Sequence, residues 1–219
     1  MSVPVIAIDG VAGAGKTTLA RSLARALDLP YLNTGLMYRA VTLEALRLGI
    51  DLDDGSALAG LTRRLRFSLS GTEGLEIDGA PPVTELHSSP VDAAVSRASR
   101  HPEVRELMRT TQRRLGLPSS VVEGRDIGSV VFPDSAVKIF LDASPNERAA
   151  RRTEERSASE VEVERALLAR DARDSTVNPL RPTPDALVID TTHLSPEEVL
   201  AGALARVRER LPELADGRT

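Results

Sequence analysis

Residues 10–17 read Gly-Val-Ala-Gly-Ala-Gly-Lys-Thr, which fits the pattern G-x-x-x-x-G-K-[ST]. Glycines leave backbone N–H groups free to surround a phosphate at the positive end of the helix that follows. Lys16 adds a positive charge for the β- and γ-phosphates, and the Thr17 hydroxyl is placed to hold Mg²⁺. We therefore predict a nucleoside triphosphate site. Its residues are Gly10, Val11, Ala12, Gly13, Ala14, Gly15, Lys16, Thr17 and Thr18.

Several arginines could bind a second anion. Arg39, Arg125, Arg152 and Arg170 each lie near the end of a predicted element, and guanidinium groups match phosphate oxygens in pairs. Arg39 is predicted to lie in the first turn of its helix, where a cation opposes the helix dipole, so a bound anion explains it better than a surface role. The candidate catalytic residues are Lys16, Arg125, Arg152 and Arg170, because phosphoryl transfer depends on positioning and charge neutralisation.

Two other classes of phosphate-binding protein fit less well. A regulatory GTPase needs an N-K-x-D run, and no asparagine of this chain begins one. A motor ATPase is expected to carry paired acids at a strand end, whereas the predicted strand ends offer Asp9, Glu123 and Asp142 singly. A small kinase, which needs a second anion site facing the first, is the favoured interpretation.

Composition narrows the class of protein further. The chain has 219 residues, long enough for one α/β domain, a net charge of -4 and no cysteine. Disulfides and thiolate sites are thereby excluded, and binding to a nucleic-acid backbone is disfavoured. No run approaches the ~20 apolar residues of a membrane span. We expect a cytoplasmic, monomeric protein with no membrane or nucleic-acid partner.

The elements that would position these residues alternate between strands and helices. Strands are predicted near 3–9, 121–122, 137–142 and 186–190, with helices between them, which indicates a parallel sheet covered on both faces. Residues 65–79 alternate polar and apolar around a glycine turn and predict a small inserted antiparallel hairpin. The expected fold is a three-layer α/β P-loop fold with this hairpin subdomain and a helical lid.

Several blocks of sequence resemble bacterial cytidylate kinases. They are residues 6–10 leading into the glycine loop, 33–40, 94–97, 102–105, 123–134, 170–175 and 179–182. The block 123–134, Glu-Gly-Arg-Asp-Ile-Gly-Ser-Val-Val-Phe-Pro-Asp, is the most diagnostic. The similarity extends from Val5 to about Leu211, nearly the whole chain.

The resemblance implies transfer of the ATP γ-phosphate to CMP or dCMP with Mg²⁺. It also implies a single domain over 1–215 with a core (1–50, 118–145 and 185–215), a monophosphate-binding insert (about 51–117) and a lid (about 146–180). The residues it implies for substrate binding are Thr34, Tyr38, Arg39, Ser96, Arg105, Arg125, Asp126, Arg170 and Asp174. Among them Ser96, Arg105 and Asp126 would hold cytosine, Arg39 and Arg125 the monophosphate, and Arg170 with Asp174 the sugar side.

The chemistry of cytosine agrees with that assignment. Its exocyclic amine needs an acceptor such as Asp126 or Ser96, and its N3 and O2 need a donor such as Arg105. Uracil would set its O4 against the carboxylate, which costs roughly 1–3 kcal/mol, or about ten- to a hundredfold in selectivity.

Two departures from the family pattern leave an alternative open. The segment after Asp174 is two residues short, so an arginine common in the family is missing, and the lid near 153–160 is short and lacks the usual glycine. A nucleotide-binding regulator with weak or no transfer is one alternative. Apart from these departures, a kinase for another small acceptor, such as UMP or shikimate, would share the glycine loop but would not need residues 124–126 with Ser96 and Arg105.

Overall fold

A computed structural model describes residues 3–154 and 180–215. Within these residues five strands form a parallel sheet in the order β2-β5-β1-β6-β7, and two form a separate antiparallel pair. The strands are β1 Val3–Gly10, β2 Tyr31–Asn33, β3 Phe67–Ser70, β4 Gly74–Ile77, β5 Ser120–Glu123, β6 Ser135–Asp142 and β7 Leu187–Asp190. The predicted parallel sheet and the predicted hairpin are both confirmed.

Helices connect the strands, and four of the eight described helices begin at a polar side chain that caps the first turn. Asn33 accepts the backbone N–H of Leu36 at 3.1 Å to start α2, and Ser195 forms a capping box with Glu198 at the start of α7. The described helices are α1 Lys16–Leu27, α2 Thr34–Leu48, α3 Gly55–Arg64, α4 Ser89–Ser99, α5 Pro102–Gly116, α6 Pro145–Glu154, α7 Pro196–Arg210 and α8 Pro212–Ala215.

The side chains of β1 alternate between two cores. Val5 and Ala7 face a cluster that includes Met37 of α2 and Met108 of α5. Ile6 and Ile8 face a cluster on the other side of the sheet, with α1 and α7. Helices thus cover both faces, and the three-layer arrangement is confirmed.

Strand register brings three strand ends together. Ile8 of β1 pairs with Glu123 of β5, and Glu123 pairs in turn with Asn33 of β2. In parallel α/β sheets ligands bind beyond the carboxyl ends of the strands, and this edge is therefore where a site is expected. In the described part of the chain, each helix is too short or too polar to span a bilayer.

Candidate functional site

The glycine loop follows β1 as predicted, with its carbonyl groups held by side chains from other elements. Arg148 of α6 is buried and donates to Ala12 O at 3.1 Å, and Thr191 donates to Ala14 O at 3.2 Å. Lys16 Nζ lies 2.8 Å from Gly10 O and 2.6 Å from Val11 O. The lysine therefore folds back over the loop that it would use to bind phosphate.

Glycine is required where the loop begins. A Cβ at Gly10 would lie 2.1 Å from the carbonyl oxygen of Leu141, and the φ of Gly10 is +147°. A larger residue would separate β1 from β6 at the start of the loop.

Glu123, at the end of β5, is the buried acid beside the loop. Its carboxylate accepts hydrogen bonds from Thr17 Oγ1, at 3.1 Å, and from the Tyr31 phenol. Burial raises the pKa of Glu123, while the two hydrogen bonds and the charge of Lys16 oppose the rise. Burial and Glu123 both raise the pKa of Tyr31, so the phenol stays protonated and donates. The carboxylate is thereby aimed at Thr17.

This pair of oxygen donors fits Mg²⁺. Magnesium is held in proteins by one or two side-chain oxygens together with substrate phosphates and water, and Thr17 Oγ1 lies beside the carboxylate of Glu123. Over residues 3–154 and 180–215, no set of three or more His, Cys, Asp or Glu side chains gathers as a metal cage would require. A site shared with a phosphate is the arrangement these residues can support.

Asp9, the last residue before Gly10, binds the loop after β5. Its Oδ1 accepts from Ile127 N and its Oδ2 from Gly128 N, both at 2.8 Å. Burial raises the pKa of Asp9 from 3.8 to about 6; Asp126 adds to the rise, while the two N–H groups and Lys16 oppose it.

Three of the predicted substrate-binding residues lie together. Arg105 of α5 and Asp126 form a half-buried ion pair, Nη2 to Oδ2, of 2.6 Å. Burial raises the pKa of Tyr38 to about 12, and the charges of Arg105 and Asp126 both act on its phenol. A donor and an acceptor thus stand side by side on the edge of the sheet that carries the glycine loop.

Other predicted residues lie on the elements that carry the pair or on elements next to them. Thr34 is buried and donates to Glu123 O at 2.7 Å. Arg125 lies half-buried just before Asp126, and Ser96 lies half-buried on α4, which packs against α5. The side chain of Arg152, and Arg170 and Asp174 entirely, lie outside the described residues, as does most of the predicted lid.

The position predicted for Arg39 is wrong. Helix α2 begins at Thr34, which puts Arg39 in the second turn rather than the first. Its side chain is 6% exposed and contacts Asp92 Oδ1 at 2.5 Å and Leu86 O at 2.7 Å. In the structure Asp92 supplies the negative charge beside Arg39, where the sequence predicted a bound anion. Since Asp92 and Ser96 are four residues apart on α4, Arg39 still faces the side of that helix that carries Ser96.

A cavity of about 140 Å³ lies beside the glycine loop, on the side of β7 and α6. Its lining includes Gly15 and Thr18 of the loop region, Arg151 of α6, and Thr191 and Leu194 after β7. Arg151 donates to both the hydroxyl and the carbonyl oxygen of Thr191, at 3.0 and 2.7 Å. This apolar space continues from the phosphate loop and could take the base of a nucleotide.

Sequence reasoning did not assign roles to Asp9, Tyr31, Glu123, Arg148 or Arg151. Asp9 and Glu123 were visible as single acids at strand ends, and only the strand order shows that they are neighbours. The contacts of Arg148 and Arg151 cross between α6 and distant loops. No spacing in the sequence would have indicated them.

Comparison with known proteins agrees with this geometry. The cytidylate kinase family model matches residues 6–209. The cytidylate kinase of Rhodococcus jostii is 44% identical over 219 aligned residues, covering 94% of this chain and 95% of that protein. That of Deinococcus radiodurans is 43% identical, covering 93% and 98%. A bifunctional pantoate ligase/cytidylate kinase of Synechococcus is 45% identical, but the match covers 90% of this chain and only 39% of that longer protein.

Proposed function

This chain belongs to the cytidylate kinase family, and we propose that it transfers the γ-phosphoryl group of ATP to CMP or dCMP, giving ADP and the nucleoside diphosphate. The observation that carries the proposal is the Arg105–Asp126 pair, which lies at the sheet edge where the glycine loop begins. A base-binding pair and a phosphate loop on one edge suit transfer between two nucleotides.

The Arg105–Asp126 pair supports cytosine as the base. Cytosine presents an amine donor beside the N3 acceptor, and a carboxylate beside a guanidinium has the complementary order. Uracil presents these groups in the reverse order. Without a base the two side chains satisfy each other at 2.6 Å, so CMP would exchange one set of charge-assisted hydrogen bonds for another. Tyr38, which lies beside the pair, would close one side of the pocket, and Ser96 of α4 would provide a second acceptor for the amine.

The loop residues would handle the triphosphate. Residues 10–18 would surround the β- and γ-phosphates with backbone N–H groups, and Lys16 would exchange the carbonyls of Gly10 and Val11 for phosphate oxygens. Thr17 and Glu123 would hold Mg²⁺, which supplies charge neutralisation on the phosphates. The adenine would lie in the cavity beside Arg151 and Thr191.

Arginines would hold the acceptor phosphate and the transferred group. Arg125 adjoins Asp126, so a CMP bound at Asp126 would bring its phosphate within reach of Arg125. Arg39 would bind the same phosphate in competition with Asp92, its present partner. Arg152 and Arg170 are proposed to neutralise the transferred phosphoryl group, and Arg170 with Asp174 to contact the sugar. In the proposed division into core, insert (51–117) and lid (146–180), Arg39 and Arg125 would belong to the core and the other three residues to the lid, and closure of the lid would bring the two sets together.

A nucleotide panel tests the proposal. Purified protein with ATP and Mg²⁺ is supplied with CMP, dCMP, UMP or AMP, and ADP release is followed by a coupled assay. We expect kcat/KM for CMP or dCMP to exceed that for UMP by about tenfold or more. Equal rates on all four would reject the cytosine assignment, and binding of ATP and CMP without ADP release would favour a non-catalytic regulator. Light scattering during the same preparation tests the expected monomer.

A further inference from the structure

Residues Ile127–Val131 form a single wide helical turn directly after Arg125 and Asp126. It has few backbone hydrogen bonds. Val130 N and Val131 N both donate to Asp126 O, at 2.9 and 3.1 Å, and Phe132 N donates to Ile127 O at 2.7 Å. One turn of helix is not stable by itself, because nucleation fixes several dihedral angles for few bonds. The turn must therefore be held by its surroundings.

At the start of the turn the support comes from Asp9. Each carboxylate oxygen accepts one of the first two N–H groups, those of Ile127 and Gly128. These are donors that a helix cannot satisfy within itself. The approach is close, because a Cβ added to Gly128 would lie 3.4 Å from Asp9 Oδ2.

At the end of the turn the support comes from Arg113 of α5. Its Nε donates to Val131 O at 2.8 Å and its Nη2 to Val130 O at 2.9 Å. These are carbonyl oxygens for which the turn provides no N–H donor of its own. The turn thus has an anion at its positive end and a cation at its negative end, the favourable arrangement at both.

We propose that Asp9 and Arg113 are positioning residues, which fix the Ile127–Val131 turn and through it hold Arg125 and Asp126 in place for the acceptor nucleotide. This role rests on the proposed function above. Neither side chain needs to touch CMP. Arg113 lies on the same helix as Arg105, so α5 holds both partners of the base-binding pair: Arg105 directly, and Asp126 through the turn. Asp9 directly precedes Gly10, so the same carboxylate joins the phosphate loop to the acceptor side.

The chain offers a matched control for Arg113. Arg114 is the next residue of α5, and its guanidinium contacts Phe67 O of the hairpin at 3.4 Å rather than the turn. The variants R113Q and R114Q therefore remove the same charge from the same helix. D9N keeps the shape of Asp9 but sets an amide N–H against one of the two backbone donors.

Two readouts separate positioning from general stability. The first is amide hydrogen exchange of the peptide containing residues 127–131 in nucleotide-free protein. The second is KM for CMP and for ATP, with kcat. For R113Q we expect exchange and KM for CMP to rise about tenfold each, while KM for ATP and kcat change less than about twofold. R114Q should match the wild type in all four measurements. Because Asp9 and Arg113 act on one turn, the rise in exchange rate and in KM for CMP in the double variant D9N/R113Q should be well below the product of the rises in the two single variants.

The outcomes against the proposal are distinct. Unchanged exchange in R113Q means that Arg113 does not hold the turn. Faster exchange with unchanged KM for CMP, or equal rises in both KM values, means that the turn does not position the acceptor site. If the fold-changes in the double variant equal the product of those in D9N and R113Q, the two residues act separately. If the wild type phosphorylates no CMP, the proposed function fails, and the exchange data alone decide whether Asp9 and Arg113 hold the turn.

Discussion

Two carboxylates lie at the ends of neighbouring strands and face different partners: that of Asp9, which is half-buried, and that of Glu123, which is buried. Glu123 is surrounded by hydroxyl donors, Thr17 and Tyr31, on the phosphate side. Asp9 is bound by backbone N–H groups on the acceptor side. A buried carboxylate is retained only where hydrogen bonds or charges compensate its lost hydration. Each of these acids is therefore bound to a particular neighbour, and each connects β1 or β5 to one half of the proposed site.

The raised pKa of Asp9 predicts a dependence of stability on pH. The folded value of about 6 lies above the ordinary 3.8, so between these values the folded protein binds more protons than the unfolded chain. Stability contributed by Asp9 is full below pH 3.8 and is lost as pH rises through 6. The free energy of unfolding of the wild type, minus that of D9N, should therefore fall by about 1–2 kcal/mol between pH 5 and pH 7.5. Urea unfolding at both pH values measures it. A difference that rises with pH would contradict the assignment.

Lys16 is the residue whose loss should reduce turnover most among the described residues. Replacement by alanine removes the charge proposed for the β- and γ-phosphates, and we expect kcat with ATP and CMP to fall about 10²- to 10³-fold. The exposed Arg25, on the same helix α1, gives a control, R25A, which should keep full activity. Urea unfolding shows whether both variants are folded. A folded K16A protein with more than a tenth of wild-type kcat would contradict the proposed role.

At the scale of elements, the junction between β5 and the Ile127–Val131 turn tolerates little change. A Cβ on Gly124 would lie 2.6 Å from both Thr34 Oγ1 and Ile127 Cδ1. G124A should therefore destabilise the fold by about 1–3 kcal/mol. Gly60 in α3 has no atom within 4 Å of an added Cβ, so G60A should stabilise by about 0.5–1 kcal/mol. Urea unfolding of the pair tests this. A neutral G124A would mean that the junction can relax.

Elements were predictable where a local pattern defines them. The glycine loop and the hairpin follow from spacing and turn residues alone. Helix α3 was not predicted because Gly55 and Gly60 weaken its propensity, although Asp54 caps it and Leu58 and Leu61 are buried at helical spacing. Arg39 was wrongly placed in the first turn of α2 because helix ends are defined by caps. Asn33 caps a helix that begins at Thr34, five residues before Arg39.

At the scale of the whole molecule, the site is produced by strand order. Residues 9–17, 31–34 and 123–126 are far apart in sequence, and the order β2-β5-β1 places their strand ends side by side. Strand–helix alternation predicted a parallel sheet but not this order, so the contacts Asp9–Ile127, Tyr31–Glu123 and Arg105–Asp126 could not be derived from the sequence. The family resemblance supplied Arg105 and Asp126 as residues, and the structure shows them paired.

In the proposed function, the Arg105–Asp126 pair selects cytosine opposite the phosphate loop. The most direct measurement is the ratio of kcat/KM for CMP to that for UMP, in the wild type and in D126A, with ATP and Mg²⁺. The wild-type ratio should be about ten or more, and D126A should lower it by about tenfold through loss of CMP turnover. A ratio that is the same in both proteins would contradict the proposed role of Asp126 in base recognition.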